Sequence, residues 1–333
     1  MDPPPPLKKG AAAVSGGGIS PRFVESLRAL AMSNDAVHVP VLLHEVLELL
    51  ALRPGARCVD ATIDGGGHAA AMLAATAPGG RVLGIDRDPA LLVEARKRLA
   101  ADIESGGLEL AHGSFRELGA ILAAHGFTGV DAILFDLGVS SFHFDRSGRG
   151  FSFARDEPLD MRFDSRDESI ASAAHLLATL DGRALTALLR DYGDERFASR
   201  IARTIVARRR QAPVATTGAL LDAIAAALPA RVRWQAARSA ARVFQALRIA
   251  VNDELGSLAA ALPQTVSALA RGGRVAVIAF HSLEDRLVKH FFRTENQAGR
   301  LHILTKKPVV PSEAEIAANP RAASAKLRAA VKT

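Results

Sequence analysis

The chain has 333 residues, of which 49% are hydrophobic, so it can bury a sizeable core in one or two domains. Its formal net charge of +7 favours a polyanionic partner or an acidic membrane surface, and only 5% of its residues are aromatic. A single cysteine, Cys58, excludes an intrachain disulfide, and no Cys/His cluster has zinc-ligand spacing. With no apolar run long enough to cross a bilayer, we expect a cytoplasmic protein without a metal.

Residues 1–35 are predicted to form a disordered tail. Four consecutive prolines, residues 3–6, and three glycines, residues 16–18, stand among small residues. Such a segment cannot bury enough apolar surface to offset its ordering entropy.

Strands alternate with helices after residue 39. A helix is expected over residues 41–52, where apolar residues recur with helical spacing. Short apolar strands are expected over residues 57–62, 81–85, 108–111 and 130–135. This alternation predicts a Rossmann-like α/β fold, a parallel sheet with helices on both faces, whose ligands bind beyond the carboxyl ends of the strands.

The alternation stops after Ser141 and returns with a helix predicted over residues 243–262 and a strand over 274–280. Residues 142–240 hold polar loops and helical patterns. We therefore predict one α/β domain, made of residues 36–141 and 241–333, interrupted by an inserted helical substrate-recognition domain, residues 142–240.

Asp64-Gly65-Gly66-Gly67-His68 stands between the first strand and the following helix. Glycines at such a turn let the backbone approach a ligand, and Asp86, 19 residues after Gly67 at the next strand end, suits two ribose hydroxyls. The pattern Gly65-x-Gly67-x-x-Ala70 also fits a nicotinamide enzyme, although no clear acid or base for hydride transfer is visible.

The fourth strand ends in Asp136, followed by Leu137-Gly138-Val139-Ser140-Ser141, where a transferred group would sit. With this segment, the chain carries a longer series of short motifs. They are Gly66-Gly67-His68, Ile85-Asp86-Arg87-Asp88-Pro89, His112-Gly113-Ser114-Phe115, Arg149-Gly150-Phe151-Ser152-Phe153, Pro158-Leu159-Asp160-Met161-Arg162, Tyr192-Gly193-Asp194-Glu195-Arg196-Phe197, Phe244-Gln245-Ala246-Leu247-Arg248-Ile249, Phe280-His281-Ser282-Leu283-Glu284-Asp285-Arg286 and Asn319-Pro320-Arg321-Ala322.

In this order the motifs resemble the ribosomal RNA small subunit methyltransferase H family, also called MraW. The resemblance implies a class I fold that uses S-adenosyl-L-methionine to methylate N4 of a cytidine in 16S rRNA, cytosine-1402 at the decoding centre. It also implies that the small ribosomal subunit is the partner. The cofactor-binding positions it implies are Gly66, Gly67, His68, Asp86, Phe115, Asp136 and His143.

The chain departs from the family pattern at three places. Asp64 stands where the family usually has Gly, and Phe142-His143 where it usually has Pro-Gln. Arg238-Ser239 replaces the usual His-Pro. The second departure puts the cofactor role of His143 in doubt.

Methylation of an exocyclic amine needs an acceptor for the amino hydrogen, because the nitrogen lone pair is otherwise shared with the ring. Asp136 is the first candidate for this catalytic role and His281 the second, with helix capping as the alternative for His281. Methylation at C5 of cytosine would need a reactive thiolate, and Cys58 lies inside a strand with no basic neighbour.

Arginines in the inserted segment are candidates for RNA contacts, although a solvated helix face is an equal alternative. A helix is predicted over residues 195–211, with Arg196, Arg200 and Arg203 on one face. Further arginines are Arg208, Arg209, Arg210, Arg231, Arg233, Arg238 and Arg242. The side chains that could wall a splayed-out base, or simply pack locally, are Phe151, Phe153, Met161 and Phe163.

Other functions stay open at this point. A methyltransferase with another RNA, a protein or a small molecule as acceptor would share the cofactor site. A nicotinamide oxidoreductase and a non-catalytic ribosome-assembly factor are further alternatives. The oligomeric state is open between a monomer and a homodimer.

Overall fold

The computed structural model describes residues 40–333, so the predicted tail, residues 1–35, lies outside the described residues. Within them the chain forms a sheet of seven strands in the order β3-β2-β1-β4-β5-β7-β6. The strands are β1 Arg57–Asp60, β2 Arg81–Asp86, β3 Leu108–His112, β4 Val130–Asp136, β5 Leu269–Ala279, β6 Leu301–Ile303 and β7 Lys326–Lys332. The first five are parallel, whereas β7 runs antiparallel to β5 and β6.

Helices connect and cover these strands. They are α1 Leu43–Leu50, α2 Gly67–Thr76, α3 Pro89–Arg98, α4 Ala100–Glu104, α5 Leu118–Ala124, α6 Ser141–Asp145, α7 Ala173–Thr179, α8 Gly182–Gly193, α9 Ala198–Arg208, α10 Thr217–Ala227, α11 Ala236–Asn252, α12 Glu254–Ala268, α13 Ser282–Gln297 and α14 Glu313–Ala318. Short 3₁₀ turns occur at Phe115–Glu117, Ala230–Gln235 and Pro320–Ser324. None of the helices among residues 40–333 combines the length and the apolar character that crossing a membrane requires.

The Rossmann-like α/β fold is confirmed, because the central strands are apolar and buried on both faces. In β4, residues 132–135 are all fully buried, as expected of a parallel strand covered by helices on each side. All four strands predicted before Ser141 are present, with bounds within two residues of those expected. Their shared direction places their carboxyl ends at one edge of the sheet.

Several features after residue 240 differ from the prediction, and β5 begins at Leu269 rather than at residue 274. The helix predicted over residues 243–262 is two helices, because Asp253 adopts the left-handed conformation, φ 46°, and ends α11. Apolar periodicity continues on both sides of this break, which hides it in the sequence. The strands β6 and β7 were not predicted, and β7 extends the sheet only through antiparallel pairing with β5.

The inserted segment packs around a hydrophobic cluster of its own, built from α7 to α11. Fully buried residues of this cluster include Leu185, Leu189, Ile201 and Ile205. Leu247 of α11 belongs to the same cluster, so this helix continues beyond the predicted boundary at residue 240. The division into domains at residues 142 and 240 stays a prediction.

Close packing of α8 on α11 generates a test of the fold. A Cβ added at Gly193, the last residue of α8, would lie 2.6 Å from the carbonyl oxygen of Arg242. A backbone oxygen cannot move aside cheaply, so Gly193→Ala is expected to destabilise the protein by about 1–3 kcal/mol, measured by urea unfolding. The matched control is Gly182→Ala at the start of the same helix, where nothing lies within 4 Å. Equal stability of the two variants would contradict the packing described.

Candidate cofactor and active site

A cavity of about 330 Å³ lies beyond the carboxyl ends of the parallel strands. Residues at or just after four strand ends line it: Thr62 after β1, Asp86 on β2, Asp136 on β4 and Phe280 after β5. The cavity therefore occupies the position that a parallel sheet offers a ligand.

Asp86 is held in place by the backbone of the loops beside it. Its two carboxylate oxygens accept hydrogen bonds from the backbone N–H groups of Asp64, at 3.0 Å, and Asp88, at 2.8 Å. Burial nevertheless raises the pKa of Asp86 to about 7, with the charge of Asp64 adding to the effect. A carboxylate fixed in this way can accept hydrogen bonds from ribose hydroxyls, and that contact stays a prediction.

The glycine turn is shaped by packing against the protein itself. Gly66 has φ 78°, and a Cβ there would lie 2.7 Å from the side chain of Leu99. A Cβ at Gly67 would lie 2.5 Å from Pro40. Neither glycine is among the residues lining the cavity, so contact of these two glycines with a cofactor stays a prediction. Asp64, the departure from the family pattern, adopts φ 48° without a glycine.

His68 links the glycine turn to the end of β4. Its Nε2 lies 3.1 Å from the carbonyl oxygen of Val41, and its Nδ1 lies 3.5 Å from a carboxylate oxygen of Asp136. The imidazole is 6% exposed, so it orients Asp136 from within the protein. A direct cofactor contact by His68 stays a prediction.

Asp136 stands among other carboxylates. Burial raises its pKa well above the usual range, and the charges of Asp64 and Asp60 raise it further. Asp60, at the end of β1, is fully buried, and burial raises its pKa to about 7. Within the described part of the chain, Oδ1 of Asp136 and Oδ2 of Asp60 are buried without a hydrogen-bond partner. A cationic ligand at this edge of the sheet would therefore favour the ionised form of these carboxyl groups.

His143 lines the cavity and is fixed by a buried network. Its Nε2 lies 2.9 Å from Asp88, whose carboxylate also pairs with Arg149 and caps α3. Burial lowers the pKa of His143, so the ring is neutral at neutral pH and donates its Nε2 proton to Asp88. Its Nδ1 has no partner among residues 40–333, which leaves one acceptor for a ligand N–H group.

Phe115 follows β3 and lines the cavity with a half-buried ring. The ring packs edge-to-face on Phe135 of β4, with centroids 5.6 Å apart. This contact holds the ring upright against the sheet, where a flat aromatic group such as adenine could pack beside it. The adenine contact stays a prediction.

His281 caps α13 and shares the cavity wall with Glu284. Its side chain accepts a hydrogen bond from the backbone N–H of Glu284, and the Glu284 carboxylate accepts from the backbone of His281. The second ring nitrogen lies 3.1 Å from the same carboxylate. Nδ1 is thus engaged in the helix cap, whereas Nε2 is buried and forms no hydrogen bond within residues 40–333. The cap contact favours capping over proton transfer.

Glu254 lies close enough to His281 and Glu284 for the three groups to enclose a metal ion. The carboxylate of Glu254, however, forms a bidentate pair with Arg248, with both distances 2.8 Å. Glu284 is likewise engaged by two backbone N–H groups, those of Phe280 and His281. These carboxylates have structural partners, so the cluster does not need a metal to satisfy them.

Helix α11 contributes cavity residues that the sequence analysis did not assign. Gln245, Arg248 and Asn252 line the cavity from one side of this helix. The buried amide of Asn252 donates to the carbonyl oxygen of Met161 and accepts from the N–H of Phe163, which holds that loop against the helix. Polar side chains at helical spacing in an otherwise apolar helix were the available signal.

The inserted arginines divide into structural and free groups. Arg200 donates to the carbonyl oxygen of Ala227, and Arg209 to those of Leu177 and Leu180, so both cap other helices. Arg196 is exposed on the surface. Contact between any of these arginines and RNA stays a prediction.

The aromatic wall expected around a splayed-out base is mostly packing. Phe151 and Met161 are buried in the cluster of the inserted segment, and Phe151 stacks on Phe163 with centroids 5.6 Å apart. Phe153 packs on Phe244. Phe163 alone of these four side chains lines the cavity.

Cys58 is fully buried in β1, and burial raises the pKa of its thiol to about 12. Such a thiol stays protonated and cannot add to a pyrimidine ring. The expectation that Cys58 takes no part in the chemistry is consistent with this geometry.

S-adenosylmethionine fits this donor set. Its ribose hydroxyls match the fixed carboxylate of Asp86, and its positive charges match the carboxylate of Asp136 at the end of β4. His143 and Asp136 line the cavity, and each has one buried acceptor atom, Nδ1 and Oδ1, without a partner among residues 40–333.

Comparison with known proteins places this arrangement among methylases. The model of the MraW methylase family matches residues 35–333. The chain is 49% identical over 311 residues to the ribosomal RNA small subunit methyltransferase H of Heliobacterium modesticaldum, covering 89% of this chain and 98% of that protein. It is 50% identical over 314 residues to the enzyme of the same name from Thermomicrobium roseum, covering 89% and 94%.

Among solved structures, the chain is similar to an O-methyltransferase from Bacillus cereus in complex with SAH. The alignment covers 95% of this chain and 92% of that one, with 10% identity and a TM-score of 0.38. This likeness is too distant to support a statement about function.

The pKa of Asp86 generates a test of the site. Hydrogen bonds from ribose hydroxyls favour the ionised carboxylate, so binding of S-adenosylhomocysteine should lower this pKa from about 7. Affinity should therefore be highest above about pH 7 and fall by up to about tenfold per unit below it. Calorimetry at several pH values, in buffers of different ionisation enthalpy, measures both the affinity and the proton released.

The control is Asp86→Asn, which should bind more weakly and release less proton at pH 7, because the carboxylate that loses the proton is gone. Affinity that rises as the pH falls would contradict the assignment of Asp86.

Proposed function

This chain belongs to the MraW methylase family and uses S-adenosylmethionine as its methyl donor, and we propose that the methyl group goes to N4 of a cytidine in 16S rRNA. The substrate would be the small ribosomal subunit in the cytoplasm, and the acceptor base would be cytosine-1402 in its decoding centre. The relatives carry small-subunit rRNA in their names, which supports the choice of RNA.

The observation that carries the proposal is the carboxylate of Asp136 on the cavity wall. Its Oδ1 is buried without a partner among the described residues, and its Oδ2 is oriented by His68. The backbone N–H of Asp136 donates to Thr62 Oγ1 at 2.7 Å, which fixes the loop after β4. A positioned acceptor with one free oxygen is what an exocyclic amine requires.

Several residues of the chain would hold the cofactor. Asp86 would bind the ribose, Phe115 would pack on adenine, and His143 would accept a hydrogen bond through Nδ1. Gly66, Gly67 and His68 would contribute from the turn before α2. The bound cofactor supplies an electrophilic methyl group on a sulfonium.

Asp136 would act on the nucleophile. By accepting a hydrogen bond from the cytosine amino group, it turns the nitrogen lone pair out of conjugation and toward the methyl group. The raised pKa of Asp136 makes its ionised form a stronger base. The positive charge of a bound sulfonium would favour that ionised form. The same carboxylate can then take the amino proton.

The product identifies the reaction. Small ribosomal subunits from cells lacking the family enzyme are incubated with the protein and S-adenosylmethionine labelled in the methyl group, and the rRNA is digested to nucleosides. We expect the label in N4-methylcytidine. Label in another nucleoside would overturn the proposed position, and an unlabelled rRNA with cofactor binding intact would overturn the proposed substrate.

Asp136→Asn tests the role of the carboxylate while keeping the side-chain shape. We expect the methylation rate at saturating substrates to fall by about 10²–10⁴-fold, the usual contribution of a positioned base. Because Asp136 is also a predicted cofactor-binding residue, affinity for S-adenosylhomocysteine is measured by calorimetry so that the rates are compared with the cofactor site saturated. A variant that methylates at the wild-type rate would rule out Asp136 as the proton acceptor.

Two substitutions separate the roles of His281. Asn is a good helix cap, so His281→Asn should keep both the stability and the rate if His281 only caps α13. His281→Ala should cost about 0.5–2 kcal/mol of stability, measured by urea unfolding. A large loss of rate in a stable His281→Asn variant would instead place His281 in proton transfer.

A further inference from the structure

Trp234 is the most exposed of the large hydrophobic side chains among residues 40–333. Its side chain is 76% exposed, and it is the single tryptophan of the chain. It lies in the 3₁₀ turn Ala230–Gln235, directly before α11. A single exposed hydrophobic residue is common on protein surfaces, so the case for a partner depends on the charged residues around this ring.

Several arginines flank Trp234 in the sequence. Arg231 and Trp234 are three residues apart in a 3₁₀ turn, which places them on the same side. Arg231, Arg233 and Arg238 are exposed, and Arg242 is half-buried. Unlike Arg200 and Arg209, these four form no hydrogen bond or ion pair within the described residues. Their charge is therefore available to a polyanion.

Helix α11 connects this patch to the cavity. Around a helix of 3.6 residues per turn, Arg238, Arg242 and Gln245 lie within about 60° of one another. Gln245 lines the cavity, and Arg238 lies about 10 Å from it along the axis. Trp234 lies in the turn that precedes α11, roughly 17 Å from Gln245 by the summed rise of the two elements. A basic and polar stripe thus runs from the cavity to the exposed ring.

We propose that a single-stranded segment of the RNA substrate follows this stripe, with its phosphates on Arg238 and Arg242 and an unpaired base stacked on Trp234. The inference rests on the proposed RNA substrate and adds the path of the strand. Bases a few nucleotides from the target would reach the ring while the target base enters the cavity. Stacking on an aromatic ring beside arginines tolerates any base, so Trp234 contributes affinity rather than sequence selection.

A protein partner fits this patch less well. To bind four unpaired arginines within twelve residues, a protein partner would need a matching set of carboxylates. A phosphate backbone carries a negative charge at every nucleotide and so matches them by its regular repeat. The aromatic content of the chain is low, so one stacking site within a mainly electrostatic surface agrees with its composition.

The single tryptophan makes the test direct, because its emission has one source. A short single-stranded RNA of mixed sequence is titrated into the protein, and binding is followed in parallel by filter retention. We expect RNA to quench the tryptophan emission in step with binding and to protect the ring from acrylamide. Trp234→Ala should weaken RNA binding by about fivefold to a hundredfold, and Trp234→Phe by less.

The arginines are tested through salt dependence. Replacing Arg238 and Arg242 together by Gln should reduce the slope of log affinity against log salt by about 1.4, two phosphate contacts on a single strand. The matched control is Arg53→Gln, since Arg53 pairs with Asp131 at the opposite edge of the sheet and should leave the slope unchanged. On small ribosomal subunits, Trp234→Ala should raise the KM and leave the affinity for S-adenosylhomocysteine unchanged.

The outcomes separate this inference from the proposed function. If wild-type protein methylates rRNA but RNA leaves the emission unchanged and Trp234→Ala keeps its KM, the strand path is wrong and the enzyme assignment stands. If emission falls with protein concentration in the absence of RNA, the patch joins two copies of the chain, and the proposal is overturned. If wild-type protein neither binds nor methylates RNA, the proposed function fails and the strand path fails with it.

Discussion

Parallel pairing of β2, β1 and β4 is the constraint on which the site depends. Strands that run in one direction end at one edge, and here Asp86, Asp60 and Asp136 stand at or close to those ends. Burial raises the pKa of each of these three carboxyl groups, and the charge of Asp64 adds to the effect at all three. Burial of these carboxyl groups on folding disfavours their ionised form. A cationic ligand that stabilises the ionised form is therefore favoured at this end of the sheet.

Asp88 connects the end of β2 to the inserted segment. The residue caps α3, binds His143 and pairs with Arg149, so one buried carboxylate joins three parts of the chain. On the far side of the cavity, Arg321 forms a bidentate pair with Asp145 at 2.9 Å, which ties the segment after β6 to the short helix α6. The cavity walls are therefore cross-linked by ion pairs as well as by packing.

Local patterns in the sequence were sufficient for some of these features. Asp86 could be predicted because its strand, its turn and its spacing from the glycines are all close in the chain. The pairing of His143 with Asp88 could not, since 55 residues separate them and neither position shows it in its own neighbourhood. The break at Asp253 was hidden because both flanking helices bury apolar residues with the same period. The capping contact of His281 was among the stated alternatives, and only its distances to Glu284 favour it.

Helix α11 is one rigid body that begins beside Trp234 and ends at Asn252, whose amide holds the loop containing Met161 and Phe163. Arg238 and Arg242, which we propose contact the RNA strand, thus lie on the same seventeen-residue helix as residues that line the cavity. On the proposed strand path, RNA binding and the cavity therefore share one helix rather than occupying separate domains. A chimera that exchanged residues 142–240 between relatives would cut this helix in its first turns and would take Arg238 and Arg242 from different parents.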